Sequence, residues 1–125
     1  MKKNPKLKLR SSHWIVNENN EIILGKGRME ILENIEKTGS INQAAKRMKM
    51  SYKGVWSKIK STEKHLKMKV VHSDKKEGTH LTPEGKVLLD KYRRLHRECC
   101  RTDDVIFRRV FKSTWIRDRN DLATL

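Results

Sequence analysis

Cysteine is scarce in this chain. Only Cys99 and Cys100 occur in 125 residues, and they are neighbours. Adjacent cysteines rarely bond to each other without strain, so a disulfide scaffold is excluded. Long apolar runs are missing as well, and no stretch approaches the ~20 residues needed to span a bilayer. The start, MKKNPKLKLR, is basic but lacks the apolar run of a signal peptide. A cytoplasmic location without membrane contact is therefore expected. There is no Gly-rich phosphate loop and no nucleophile with an evident base. The only acidic pair, Asp103-Asp104, is explained as a helix start. No enzyme and no cofactor are expected. Aromatic residues make up 6% of the chain and are dispersed. That argues against the stacking platform of single-strand and RNA readers.

Acidic residues are outnumbered: 15 against 30 Lys and Arg, a formal net charge of +15. A balance this basic implies a polyanionic partner, because Lys and Arg at this density displace counterions from phosphate backbones. The excess is uneven. Residues 1–40 carry net +3, residues 41–82 net +8 and residues 83–125 net +4. The middle third holds more than half of it.

The local signals predict a mainly α chain with a small β component. Leu7 to Val16 reads as a strand, Asn17-Glu18-Asn19-Asn20 as a turn, and Glu21 to Leu24 as the returning strand of a hairpin. Met29, Ile31, Leu32 and Ile35 have helical spacing, and Gly39 ends that helix. Ser40 caps the next, with Gln43 completing a capping box. This short helix runs to about Met48, with Ile41, Ala44, Ala45 and Met48 facing inward. Lys49-Met50 is a turn, and Ser51 caps a longer helix to about Leu66, with Val55, Ile59 and Leu66 as its buried stripe. Trp56 beside Val55 reads as a core residue. Val70-Val71 and Thr79–Leu81 flank a charged loop, Asp74–Gly78. Thr82 caps a further helix with Pro83 at its first position. Thr102 and Asp103-Asp104 read as a fresh cap with a negative first turn. They would open a last amphipathic segment carrying Val105, Ile106, Phe107, Val110, Phe111, Trp115 and Ile116, with a frayed end from Arg117.

Helix, short turn, helix and two-strand wing, in that order, form a winged helix-turn-helix, with the reading head at Ser40–Thr82. The Ala44-Ala45 pair lets the first helix cross closely over the second. The second presents its N-terminal turn to a DNA major groove. Ser51, Tyr52, Lys53 and Ser57 are the expected base-edge readers, and Arg47, Lys49, Lys60, Lys75 and Lys76 the phosphate contacts. His80, with Lys75 and Lys76, is in reach of phosphate or the minor groove from the wing.

Gly27-Arg28, Ile31-Leu32, Ile35, Thr38-Gly39-Ser40-Ile41, Ala44-Ala45, Met50-Ser51-Tyr52, Trp56 and Leu81-Thr82-Pro83-Glu84-Gly85 form a set. That set resembles the N-terminal domain of ModE-type molybdate-responsive regulators and, more loosely, the DNA-binding domain of LysR-type regulators. The resemblance spans about residues 7–100. It implies a homodimer on a near-palindromic double-stranded operator, with Ser40, Gln43, Ser51, Tyr52 and Lys53 against DNA. It also implies that the helix from Pro83 contributes to the dimer interface. The molybdate-binding domains of that family have no counterpart here, so no molybdate site is expected. Thr62 stands where LysR-type helices usually place leucine, so packing there is expected to differ.

The domain division that follows is 1–101, a winged helix-turn-helix with its dimerisation helix, and 102–125, an amphipathic extension. The function that follows is a sequence-specific transcription regulator acting as a homodimer. The alternatives are a nonspecific architectural DNA binder and a metal- or redox-sensing regulator. The latter would use His96, Cys99 and Cys100, whose i, i+3 and i+4 spacing on one helix suits a common metal.

Overall fold

The computed structural model describes residues 6–111, which fall into two compact units. One spans Ser12–Arg94, and the other holds the residues up to Ser11 and from Leu95 onward. The first unit contains β1 (Ile15–Val16), β2 (Ile22–Leu24), α1 (Lys26–Thr38), α2 (Ile41–Arg47), α3 (Tyr52–Leu66), β3 (Val71–Asp74), β4 (Gly78–Leu81) and the start of α4 (Pro83–Val110).

The strand expected over Leu7–Val16 is much shorter. Only Ile15–Val16 pairs, and residues 6–14 have no regular structure. Its partner β2 has three residues and is followed at once by α1, so it offers no ladder for a longer strand. The turn between them forms as the asparagines predict. Asn17 Oδ1 accepts the Asn19 and Glu21 N–H groups at 3.0 and 2.9 Å, and Asn20 is left-handed at φ 62°.

Gly39, at φ 71°, ends α1, and its N–H returns to the Ile35 carbonyl at 2.8 Å. Ser40 Oγ then accepts the Gln43 N–H at 3.1 Å and starts α2. The Ser40 N–H itself goes to Thr38 Oγ1 at 3.3 Å, the place that the capping box reserved for the Gln43 side chain. Lys49, left-handed at φ 55°, turns the chain, and Ser51 Oγ caps α3 through the Gly54 N–H at 2.9 Å.

Ile31, Leu32 and Ile35 of α1, Ile41, Ala44 and Ala45 of α2, Val55 and Ile59 of α3, and Leu89 of α4 are buried in one core. Val70, Val71 and Leu81 from the β3–β4 hairpin complete it. Each large aliphatic side chain there contributes roughly 1.5–3 kcal/mol through burial. Leu66, expected on the α3 stripe, is only half-buried, and Thr62 and Glu63 occupy the inner face instead. Tyr92 is buried on α4, and its hydroxyl donates to the His13 carbonyl at 2.7 Å. Arg93 ties α4 to α1 through Glu33 at 2.8 Å, a bond that raises the guanidinium pKa.

Thr82 caps α4 as expected, its Oγ1 accepting the Gly85 N–H at 3.0 Å. In the second unit α4 continues without a break through Thr102 and Asp103-Asp104 to Val110, so no helix starts there. No Gly or Pro interrupts this stretch, and helical spacing persists through Leu95, Cys99, Ile106 and Val110. Trp115, Ile116 and Arg117–Leu125 lie outside the described residues. No helix among the described residues is long and apolar enough to cross a membrane.

Candidate nucleic-acid interface

The candidate interface comprises α2, α3 and the β3–β4 wing, all within the first unit. The α3 stripe fixes its orientation. Val55 and Ile59 are buried four residues apart, which turns Tyr52, Lys53, Trp56, Ser57 and Lys58 outward. Tyr52 and Lys53 lie in the first turn, next to the capping Ser51. The first turn of α3 therefore carries an exposed ring, a cation and hydroxyls beside free backbone N–H groups.

Trp56 corrects the sequence reading: it is 40% exposed rather than part of the core. One residue on from the buried Val55 is a rotation of about 100°. That rotation was the signal available in the sequence.

The wing is an antiparallel hairpin in the register Val71↔Leu81, His72↔His80, Ser73↔Thr79 and Asp74↔Gly78. Lys75 and Lys76 stand exposed at its tip, where Asp74 Oδ1 accepts the Lys76 N–H at 2.8 Å. His80 is exposed and meets His72 across the hairpin, with ring centroids 5.2 Å apart and nearly edge-to-face. His72 carries no motif of its own in the sequence, and its pairing with His80 follows from the hairpin register.

The outer edges of the wing are held by the helices. Glu63 Oε2 accepts the Val70 and Val71 N–H groups at 2.8 and 3.3 Å. On the other edge, the Thr79 N–H donates to the Gly39 carbonyl at 2.9 Å. Gly78, at φ 79°, passes so close that an added Cβ would lie 2.5 Å from the Gly39 oxygen. These bonds join α3 and the end of α1 directly to the wing. Burial acts to raise the Glu63 pKa, but the bonds from Val70, Lys60 and Val71 outweigh it and hold the carboxyl below its usual value.

Thr62 explains the departure from leucine. It is buried, donates to the Ile23 carbonyl at 2.7 Å and accepts from Arg28 at 2.9 Å. Arg28 also reaches Ser61 Oγ at 3.3 Å, and its burial lowers the guanidinium pKa without removing the charge. A polar clasp thus joins β2 and α1 to α3.

The remaining predicted residues divide by environment. Gln43, Lys49, Lys53, Ser57, Lys75 and Lys76 are exposed. Ser40 and Ser51 serve as helix caps. Arg47 is exposed, with its Nε donating to Asn34 Oδ1 at 3.0 Å. Lys60 is engaged within the protein, 3.1 Å from Glu63 Oε1 and 4.3 Å from the Trp56 ring centroid.

Comparison with known proteins matches residues 27–86 to the bacterial regulatory helix-turn-helix protein, lysR family. The molybdenum transport protein ModE of Azotobacter vinelandii is 37% identical over 75 residues, covering 57% of this chain and 28% of that protein. The chain thus spans less than a third of this relative's length. Among solved structures, the CbnR DNA-binding domain in a DNA complex superposes with a TM-score of 0.57 at 20% identity, covering 68% of this chain and 97% of that one. Full-length CbnR, a LysR family transcriptional regulator, gives a TM-score of 0.54 at 21% identity, covering 66% of this chain and 28% of that one. The architecture matches the winged helix fold of the CbnR DNA-binding domain.

Proposed function

From a helix-turn-helix domain of the lysR-family type at residues 27–86, we propose a double-stranded DNA-binding transcription regulator that recognises its operator as a homodimer. The observation that carries this reading is the exposed first turn of α3, joined to a basic wing through Glu63. Ser51, Tyr52, Lys53 and Ser57 read base edges from the major groove. Ser40, Gln43, Arg47, Lys49, Lys75, Lys76 and His80 contact the backbone around it, and Lys60 adds its charge from behind Trp56. The +8 excess over residues 41–82 supplies the sequence-independent attraction.

Homodimerisation uses α4, which leaves Val87, Leu95, Val105, Ile106 and Val110 exposed. Apolar side chains in that number along one helix suit a partner helix. The cytoplasm is the compartment where such a protein meets its operator.

Selection from randomised duplexes, combined with light scattering on the protein, tests the proposal. A recovered near-palindrome and a dimeric mass support it. A preference no stronger than for random sequence makes the protein an architectural binder instead.

A further inference from the structure

The second unit carries a pair of side chains that DNA reading does not use. His96 and Cys100 lie one turn apart on α4, so both project on one stripe of the helix. Cys100 Sγ is 3.5 Å from His96 Nε2 and 3.9 Å from Nδ1. Both residues are half-buried. We propose that His96 and Cys100 form a two-donor site for a borderline divalent cation of the Zn2+ or Co2+ class.

Geometry is the first argument. A tetrahedral zinc ion with bonds of about 2.0 Å to nitrogen and about 2.3 Å to sulfur holds its two donor atoms about 3.5 Å apart. The Nε2–Sγ separation already equals that bite. Both ring nitrogens face the sulfur within 4 Å, so either tautomer has a donor nearby.

Donor chemistry is the second argument. Neutral imidazole and thiolate are the donors that zinc selects over hard cations. Capture of the ion forms one N–metal and one S–metal bond and breaks the Cys100 S–H bond, releasing one proton to solvent. No electron is transferred.

Electrostatics is the third. Burial, and then the charges of Asp103 and Asp104, raise the pKa of the Cys100 thiol. The same two carboxylates, one turn further along α4, attract a dication. The structure also selects between the adjacent thiols. Cys99 is rotated about 100° around the helix from Cys100, so the two cannot serve one ion from the same stripe.

The test is a Co2+ titration of the full chain, read by the sulfur-to-cobalt charge-transfer absorption, with Zn2+ as competitor and proton release recorded in weak buffer. The wild type and Cys99→Ser should show the band, and Zn2+ should remove it. Cys100→Ser and Cys100→Ala should lack it, with helix content unchanged by circular dichroism. His96→Ala should raise the half-saturating Co2+ concentration about tenfold or more. If the wild type shows no band, or if Cys99→Ser removes it while Cys100→Ser keeps it, the pair is only an S–H···N hydrogen bond and the proposal fails. DNA affinity does not enter this readout, so its outcome is independent of the regulator reading.

Discussion

The carboxylate of Glu63 accepts the backbone N–H of Val70 at 2.8 Å, joining the last turns of α3 to the entry of the wing. The Val71 N–H reaches the same oxygen. Two edge donors that no strand partner can satisfy are thereby paired. Glu63→Ala should cost about 1–3 kcal/mol, because both N–H groups are left buried without acceptors. Denaturant titration of the two proteins measures it.

Glu63 also sets an acid limit. Its folded pKa lies below the ordinary value of 4.5. A depressed carboxylate contributes stability that is fully present above the unfolded pKa and is lost as pH falls through the folded one. The stability gap between wild type and Glu63→Gln should therefore be constant from about pH 7 down to about pH 5 and shrink below that. Thermal melts across pH 3–7 read the gap, and a gap that widened in acid would contradict a depressed Glu63 pKa.

Thr62 is a second polar residue on the inner face of α3. Thr62→Val keeps the shape but removes the donor to the Ile23 carbonyl and the acceptor for Arg28. Destabilisation of about 1–3 kcal/mol is expected. Thr62→Val combined with Arg28→Met should lose less than the two single changes added together, because the clasp is shared. Additive losses would show that the two residues act separately.

Gly85 gives a test by sign. It lies within α4, where Gly→Ala ordinarily stabilises a helix by about 1 kcal/mol. Here the added Cβ would be driven into the Val70 carbonyl, which is backbone and cannot swing aside. Gly85→Ala should therefore destabilise, by about 1–3 kcal/mol. A raised melting temperature would contradict the close approach of α4 to the wing entry.

Lys75 and Lys53 test the proposed division between base reading and general attraction. Lys75→Ala, at the wing tip, should weaken binding to all duplexes alike and lower the salt slope by about one. Lys53→Ala, in the first turn of α3, should cost about 1–3 kcal/mol on the operator and relax preference at one base position. Fluorescence anisotropy on selected and random duplexes over a salt series distinguishes them. An equal loss on both duplexes for Lys53→Ala would remove it from the reading set.

The starts of α2, α3 and α4, the end of α1 and the charge were all legible in the sequence. Ser40, Ser51 and Thr82 cap helices, and Gly39 ends one, because each signal acts on backbone groups within four residues. The basic excess over residues 41–82 needs only composition. What the tertiary structure decided lies at longer range. The strand read from Leu7 shrank to Ile15–Val16 because its partner was short. Thr102 and Asp103-Asp104 have the composition of a helix start, yet α4 runs through them unbroken. Trp56 moved from the core to the surface, and Thr62 and Glu63 moved inward, because partners 39 and 7 residues away satisfy them. Burying a polar group is favourable only when such a partner is in place, and local sequence does not contain it. Helix α3 is thus visible in the residues from Ser51 onward, but its attachment to the wing exists only once Val70 meets Glu63.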